Sequence, residues 1–372
     1  MSFSESERSR YSRHFILPQV GEEGQAQLKK ASVLCVGAGG LGSPTLLYLA
    51  AAGVGRIGVI DADRVDLTNL QRQIVHTTSR VNELKADSAK AALQDLNPEI
   101  EVITHPFRLV AENVLKIMAD YDVIVDGSDN FPTRFLVNDG AYLAKKPLVA
   151  GAIFQFDGQL SVFDRESGSP CYRCLLPEPP AAGAVPSCDE AGVMGALPGV
   201  VGGLQAMEVL KLILKIGEPL TGRMLHYDAL SARFRELALR KDPSCKLCGD
   251  QPTITEPVDH QQTCVAEPGS DLTVQGLRKI LESGFNGVLL DVRQPEEHAS
   301  AHLSGCTLVP LGELEAALPS LDPNQEYLVY CKVGQRSAYA VGMMRQAGIS
   351  KARNIEGGIL AWRREFGTDL LE

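Results

Sequence analysis

Cys331 sits in the run Tyr330-Cys331-Lys332-Val333-Gly334-Gln335-Arg336-Ser337, where an apolar stretch ends and a helical pattern begins. A thiol placed there faces loop amides and a helix N-terminus, both of which favour a thiolate or a sulfur anion bound to it. Gly334 permits a tight loop, and Arg336 adds positive charge or braces the loop through Asp291 or Glu297. Four more cysteines form two C-x-x-C pairs, Cys171 with Cys174 and Cys245 with Cys248. Four thiolates suit a closed tetrahedral Zn²⁺ with no position left for substrate, hence a structural site that clips distant segments together. A redox pair is the competing use of such motifs. A third constellation is Gly37-Ala38-Gly39-Gly40-Leu41-Gly42, which fits G-x-G-x-x-G between a strand and a helix. Its glycines let backbone approach a phosphate at the helix N-terminus, and Asp61 suits a ribose hydroxyl.

The glycine loop alone fits a nicotinamide enzyme equally well. The residues that follow favour a nucleoside triphosphate. Asp63, Asn69, Arg72 and Gln73 share one loop, Lys85 opens the next helix, and Asp129 ends a strand. Triphosphate chemistry needs Arg and Lys for the phosphates and a carboxylate for Mg²⁺, and Arg72, Lys85 and Asp129 supply those parts. No G-x-x-x-x-G-K-[ST] loop occurs, which argues against an ordinary P-loop ATPase.

The elements that must position these groups follow an α/β rhythm. Apolar runs at 32–37 and 56–61 read as buried strands, separated by a helix that ends at Gly53. A helix over 84–97, a strand at 101–107 and a strand at 122–129 continue the pattern of a Rossmann-like doubly wound sheet. QLSVFD and segments within 223–239 extend it. The polar, proline-bearing stretch 251–270 reads as a linker between domains at 1–250 and 271–372. The second domain repeats the alternation: helix 273–283, strand 288–292, helix 311–318, strand 326–331 and helix 335–347. The apolar stretch 192–216 is interrupted by Pro198, Gly202, Gly203, Glu208 and Lys211, so a buried core helix is expected rather than a membrane span.

The 372 residues carry a formal charge of -10, and residues 270–372 hold 10 basic against 13 acidic side chains. Both parts are therefore acidic, which disfavours nucleic acid and acidic membranes as partners. Nine cysteines behind a polar N-terminus without a secretory pattern point to a reducing, cytoplasmic setting. Cys35 lies in a strand and is expected to be core. Cys264 and Cys306 have no partner motif, and His14 and His76 are not assigned to catalysis.

The motifs RYSRHFILPQVGEEGQAQLKKASVLCVGAGGLGSP, DADRVDLTNLQRQ, SDN at 128–130 and CYRCL resemble the ThiF/MoeB branch of the ubiquitin-activating-enzyme superfamily, over about residues 7–250. That resemblance implies adenylation of the C-terminal glycine of a small ubiquitin-like sulfur-carrier protein ending in Gly-Gly. It implies that Gly40, Asp61, Asn69, Arg72, Lys85 and Asp129 bind ATP and Mg²⁺. Arg13 would reach the phosphates across a homodimer interface, and the four paired cysteines would hold zinc. It also implies later thiol chemistry for Cys188, in the Pro/Gly/Ala-rich EPPAAGAVPSCDEAGVMG. DVRQPEEHASAHLSG and the Cys331 loop resemble the rhodanese family, with Ala301 where glycine is usual, a departure expected to affect local turn geometry more than chemistry. Four residues separate Cys331 from Arg336, one fewer than in the similar phosphatase loop, which suits a sulfur-sized cradle.

Together the two halves resemble fused MoeB–rhodanese (MoeZ-like) proteins. The expected reaction is carrier adenylation, then delivery of sulfur from a Cys331 persulfide to give a thiocarboxylate. Thiosulfate or the persulfide of a cysteine desulfurase would load Cys331. A nicotinamide oxidoreductase, a non-catalytic scaffold and a phosphatase-like second domain are the competing classes.

Overall fold

The computed structural model describes residues 2–180, 192–259 and 271–372. They cluster into two compact units, one built from the chain up to Pro179 with 192–259, the other from 271–372.

The first unit is organised by an eight-stranded sheet in the order β3-β2-β1-β4-β5-β6-β7-β8. β1 (Ser32–Val36), β2 (Arg56–Ile60), β3 (Glu101–His105), β4 (Val123–Asp126) and β5 (Leu148–Phe154) are parallel, while β6 (Asp157–Phe163), β7 (Arg223–Asp228) and β8 (Arg233–Ala238) add antiparallel strands. The continuous apolar runs make sense because both faces are covered. Val33, Cys35, Val59 and Val125 pack with Leu46, Leu49, Leu93 and Val209 from the helices Gly42–Ala52, Lys85–Leu96 and Ala196–Leu214. Leu34, Val36, Ile60 and Ile124 pack with Val114, Ile117, Leu136 and Val137 from Ala111–Ala119 and Phe131–Leu143. Cys35 is core, as expected, and burial pushes its thiol far above the ordinary range.

The helix Ala196–Leu214 is long and apolar enough to cross a membrane by length and composition. It instead packs on Gly42–Ala52 and β5, and it buries polar side chains with partners. Gln205 Nε2 donates to the Asp126 carbonyl at 2.8 Å, and a Glu208 carboxylate oxygen accepts the Leu220 N–H at 2.9 Å.

The second unit is a parallel four-stranded sheet, β10-β9-β11-β12. Its strands are β9 (Val288–Asp291), β10 (Thr307–Leu308), β11 (Tyr327–Tyr330) and β12 (Ala352–Asn354). Leu290, Val329 and Cys331 share one core with Leu314, Val341 and Met344, and Leu289, Leu328 and Tyr330 share the other with Leu277, Ile359 and Trp362.

Two expectations need correction. The strand read over 122–129 stops at Asp126, because the buried Asp126 carboxylate turns the chain by accepting the Ser128 N–H at 2.9 Å and the Ser128 hydroxyl at 2.6 Å. Ala301 does not distort its turn: its φ of -176° is extended backbone open to any residue, so glycine is not required there.

Candidate functional site

The turn after β1 closes tightly enough to demand glycine twice. Gly37 has φ +93°, and a Cβ there would sit 2.9 Å from the Gly127 carbonyl oxygen. A Cβ on Gly42 would lie 1.9 Å from the Gly37 carbonyl oxygen. This folding brings the turn against the loop after β4 and leaves Gly39 and Gly40 half-buried ahead of the helix Gly42–Ala52, whose N-terminal dipole favours an anion. At Gly40 the nearest neighbours of a Cβ would be Pro198 at 3.4 Å and Arg72 Cδ at 3.7 Å, so the Arg72 chain lies beside the turn.

The other predicted nucleotide residues are placed by local turns. Asp61 follows β2 and uses each oxygen once: Oδ2 accepts the Ala38 N–H at 2.8 Å and Oδ1 the Asp63 N–H at 2.9 Å. A carboxylate has further lone pairs for a hydroxyl donor. Burial raises the Asp61 pKa, against the pull of Lys85 and the two amides. Asp66 caps the turn Leu67–Asn69 by accepting the Thr68 N–H at 2.8 Å, which presents Asn69 and, one turn later, Arg72. Arg72 Nη1 donates to the Thr68 carbonyl at 3.4 Å. Lys85 is buried at the start of its helix, with Nζ 3.1 Å from Asp63 Oδ2. Asp129 is exposed in the loop that abuts Gly37, and its neighbour Asn130 caps Phe131–Leu143 by accepting the Thr133 N–H at 3.0 Å. Gln73 is buried beside Gly39 with Oε1 lacking a partner among the described residues, an acceptor ready for a ligand donor. Arg13 is exposed on the short helix Ser12–Phe15, with no hydrogen bond or ion pair among the described residues. Cys188 and Cys264 lie outside the described residues.

His76, which the sequence leaves without a catalytic role, takes a supporting one. It is buried behind the turn, Nε2 3.0 Å from the Ala38 carbonyl oxygen and Nδ1 2.9 Å from Ser88 Oγ. The carbonyl can only accept, so Nε2 carries a proton, and burial disfavours a second one on Nδ1. No spacing signal marks this residue; only the fold brings helix Lys85–Leu96 under the turn. Burial holds the imidazole down at about 4 from an ordinary 6.5. The unfolded chain therefore binds the proton first. The His76 contribution is complete above pH 6.5 and is lost as pH falls to about 4, by up to about 3 kcal/mol. Urea titrations across that window should show the loss, and His76→Gln should flatten it.

The four paired cysteines do converge. Cys171 caps the short helix Tyr172–Leu175 and Cys174 lies within it, and their sulfurs lie 3.6 Å from Cys245 Sγ and 3.3 Å from Cys248 Sγ respectively. One sulfur from each lies within 4.8 Å of the others, a donor set that fits a tetrahedral zinc ion. A proton shared with Cys248 and burial hold Cys171 far above the ordinary thiol range, a cost that a divalent cation removes. The Asp242 N–H points at Cys174 Sγ from 3.4 Å. Zn²⁺ held there would tie 171–174 to 245–248.

In the second unit, Cys331 directly follows β11 and is fully buried. Its Sγ receives the Gly334 N–H at 3.1 Å and the Ser337 hydroxyl at 3.4 Å. Gly334 has φ +93°, and a Cβ there would be 2.8 Å from the Gly357 nitrogen. Of the two partners expected for Arg336, the structure selects Glu297, in a bidentate pair at 2.7 and 2.8 Å. Burial opposes ionisation of Glu297, yet Arg336 outweighs it and lowers the pKa. Asp291 belongs instead to Arg293, whose Nη2 lies 2.6 Å from Oδ2.

Comparison with known proteins bears on both units. Residues 11–247 match the ThiF family and residues 273–365 the rhodanese-like domain. The probable adenylyltransferase/sulfurtransferase MoeZ of Mycobacterium tuberculosis (strain H37Rv) is 46% identical over 383 residues, covering 100% of this chain and 96% of that protein. The sulfur carrier protein adenylyltransferase of Thermus thermophilus is 58% identical over 269 residues, covering 71% of this chain and 99% of that protein. The crystal structure of E. coli MccB with AMPCPP and MccA shares the fold, with TM-score 0.58 and 24% identity over 67% of this chain and 76% of that one.

Proposed function

From the premise that the chain belongs to the ThiF family and carries a rhodanese-like domain, we propose that it adenylates the C-terminal glycine of a small ubiquitin-like sulfur carrier and converts it to a thiocarboxylate. The observation that carries this reading is the presence on one chain of Arg72 beside the Gly40 turn and of Cys331 in a ring of donors.

In the first step the carrier carboxylate attacks the α-phosphate of ATP and pyrophosphate leaves. The chemistry needs no protein nucleophile. It needs a crowded polyanion neutralised and the attack held in line. Gly40 and the helix N-terminus would approach the phosphates, Asp61 and Asn69 would hold the nucleoside end, and Arg72 and Lys85 would spread the developing charge. Asp129 would hold Mg²⁺, which supplies charge neutralisation when bound. Arg13 of the partner subunit would complete the site in a homodimer.

In the second step the outer sulfur of a Cys331 persulfide attacks the acyl-adenylate carbonyl. A C–S bond forms, the acyl–oxygen bond to AMP breaks, and an acyl persulfide remains. A second thiol, assigned to Cys188, then attacks Cys331 Sγ, releasing the thiocarboxylate and leaving a disulfide for a cellular thiol to reduce. The Gly334 amide and Ser337 hydroxyl would stabilise the anion on Cys331, and Arg336 would hold the loop through Glu297. Domains at 1–250 and 271–372, joined through 251–270, keep donor and acceptor at high effective concentration. Thiosulfate or a desulfurase persulfide would load Cys331, in the cytoplasm.

The test incubates the full-length protein with ATP, Mg²⁺ and carriers ending in Gly-Gly, followed by intact mass and pyrophosphate exchange. The expected result is AMP on a carrier, replaced by sulfur once thiosulfate is added. Absence of exchange with every carrier, together with tight NAD binding, would overturn the reading in favour of a nicotinamide enzyme.

A further inference from the structure

The second unit holds a cluster of metal-ligating side chains that the reaction above does not use. Strand alternation turns Tyr330 away from Cys331, into the opposite core. There Tyr330 Oη lies 3.0 Å from Asp291 Oδ2 and 3.2 Å from Cys306 Sγ. His298 Nδ1 lies 3.0 Å from Asp291 Oδ2 and 4.0 Å from Cys306 Sγ. Three different elements deliver these groups: Asp291 ends β9, His298 belongs to the helix Pro295–Ser300, and Cys306 precedes β10. One donor atom from each of Asp291, His298 and Cys306 falls within 4.8 Å of the other two.

A tetrahedral zinc-class ion holds oxygen, nitrogen and sulfur donors about 3.3–3.6 Å apart. Shifts of a few tenths of an ångström would bring the His298–Asp291 and His298–Cys306 separations to those values, and the Asp291–Cys306 pair starts within 4.8 Å. Arg293 Nε and Nη2 grip Asp291 at 2.9 and 2.6 Å, which fixes the direction of Oδ2. The His302 ring stacks on His298 with centroids 3.9 Å apart, and His302 Nδ1 lies 3.0 Å from the His298 carbonyl oxygen. Such partners orient first ligands. The Arg293 charge opposes a cation: with Asp291 and a Cys306 thiolate it leaves a bound dication at a net charge of +1, against +3 for the ion and Arg293 alone. Asp291 is fully buried, whereas the His298 side chain remains 21% exposed and Cys306 is half-buried, which leaves an entry path.

We propose that Asp291, His298 and Cys306 form a second divalent-metal site, selective for borderline-soft ions such as Zn²⁺ or Co²⁺ over Mg²⁺ or Ca²⁺. The mixed oxygen, nitrogen and sulfur set is the basis of that selectivity. Binding expels the Cys306 thiol proton to solvent and shifts the His298 proton from Nδ1 to Nε2, so one proton is released per ion. Tyr330 or a water completes the coordination. The ion would tie the end of β9 and the residue before β10 to the helix Pro295–Ser300, beside Tyr330, the residue before Cys331.

The test titrates Co²⁺ into full-length protein whose four-cysteine site is already saturated with Zn²⁺. The expected result is one further equivalent with a thiolate-to-cobalt charge-transfer band. Cys306→Ser and His298→Gln should each weaken binding at least about tenfold. In parallel, Zn²⁺ should slow alkylation of Cys306, read by peptide mass, in the unmodified protein. No further equivalent, or a band that persists in Cys306→Ser, would overturn the proposal. Should the variants not fold, alkylation of Cys306 at an unchanged rate under saturating Zn²⁺ would overturn it alone.

Discussion

Cys331→Ala is expected to abolish sulfur transfer, by at least about a thousandfold, while carrier adenylation stays within about twofold of the unsubstituted rate. The separation follows from where the atoms are. Cys331 Sγ receives the Gly334 amide and the Ser337 hydroxyl, all within the 271–372 unit. Nothing in the Gly37–Gly42 turn depends on that thiol for its shape. Cys331 is fully buried, so the variant loses a little core packing, and circular dichroism should accompany the assay. Thiocyanate production from thiosulfate and cyanide reads the sulfur step, and intact carrier mass reads the adenylation step. Equal loss of both activities would refute the division of labour.

Arg72→Ala is expected to lower pyrophosphate exchange by about a hundred- to a thousandfold, the usual effect of removing one donor aimed at developing charge. Arg72 is half-buried beside Gly40, and its Nη1 contact with the Thr68 carbonyl is a long 3.4 Å. A thermal melt of the variant should accompany the assay, so that the loss of exchange is read on folded protein. Arg72→Lys should recover only part of the rate, since an ammonium supplies charge without a planar fork. Thiosulfate turnover by Cys331 should not change. An unaltered exchange rate in Arg72→Ala would move phosphate binding away from the glycine turn.

The correspondence between sequence and structure is closest where the chain is locally over-determined. Gly37 and Gly42 were legible because no other residue fits a turn that folds on its own carbonyl. The paired cysteines were legible because C-x-x-C places two sulfurs on one small turn, and the fold then brings the two turns together. The strands at β1, β2 and β11 were legible because unbroken apolar runs need cover on both faces. The helices Pro295–Ser300 and Gly358–Phe366 were not, because the first is short and polar and the second carries a mixed pattern. The antiparallel direction of β6–β8 was also hidden, since pairing direction depends on connections rather than on strand composition.

Amino-acid order by itself determined the two α/β units, the glycine turn, the four-sulfur set and the thiol at a strand-to-helix junction, because each is a short-range pattern whose chemistry depends on residue type and spacing. Tertiary structure alone decided which carboxylate holds Arg336, what His76 supports, and that Cys306 meets Asp291 and His298. Those pairings join residues from different strands, helices and loops. The spacing along the chain carries no trace of them, and only the packing of whole elements brings the atoms within bonding distance.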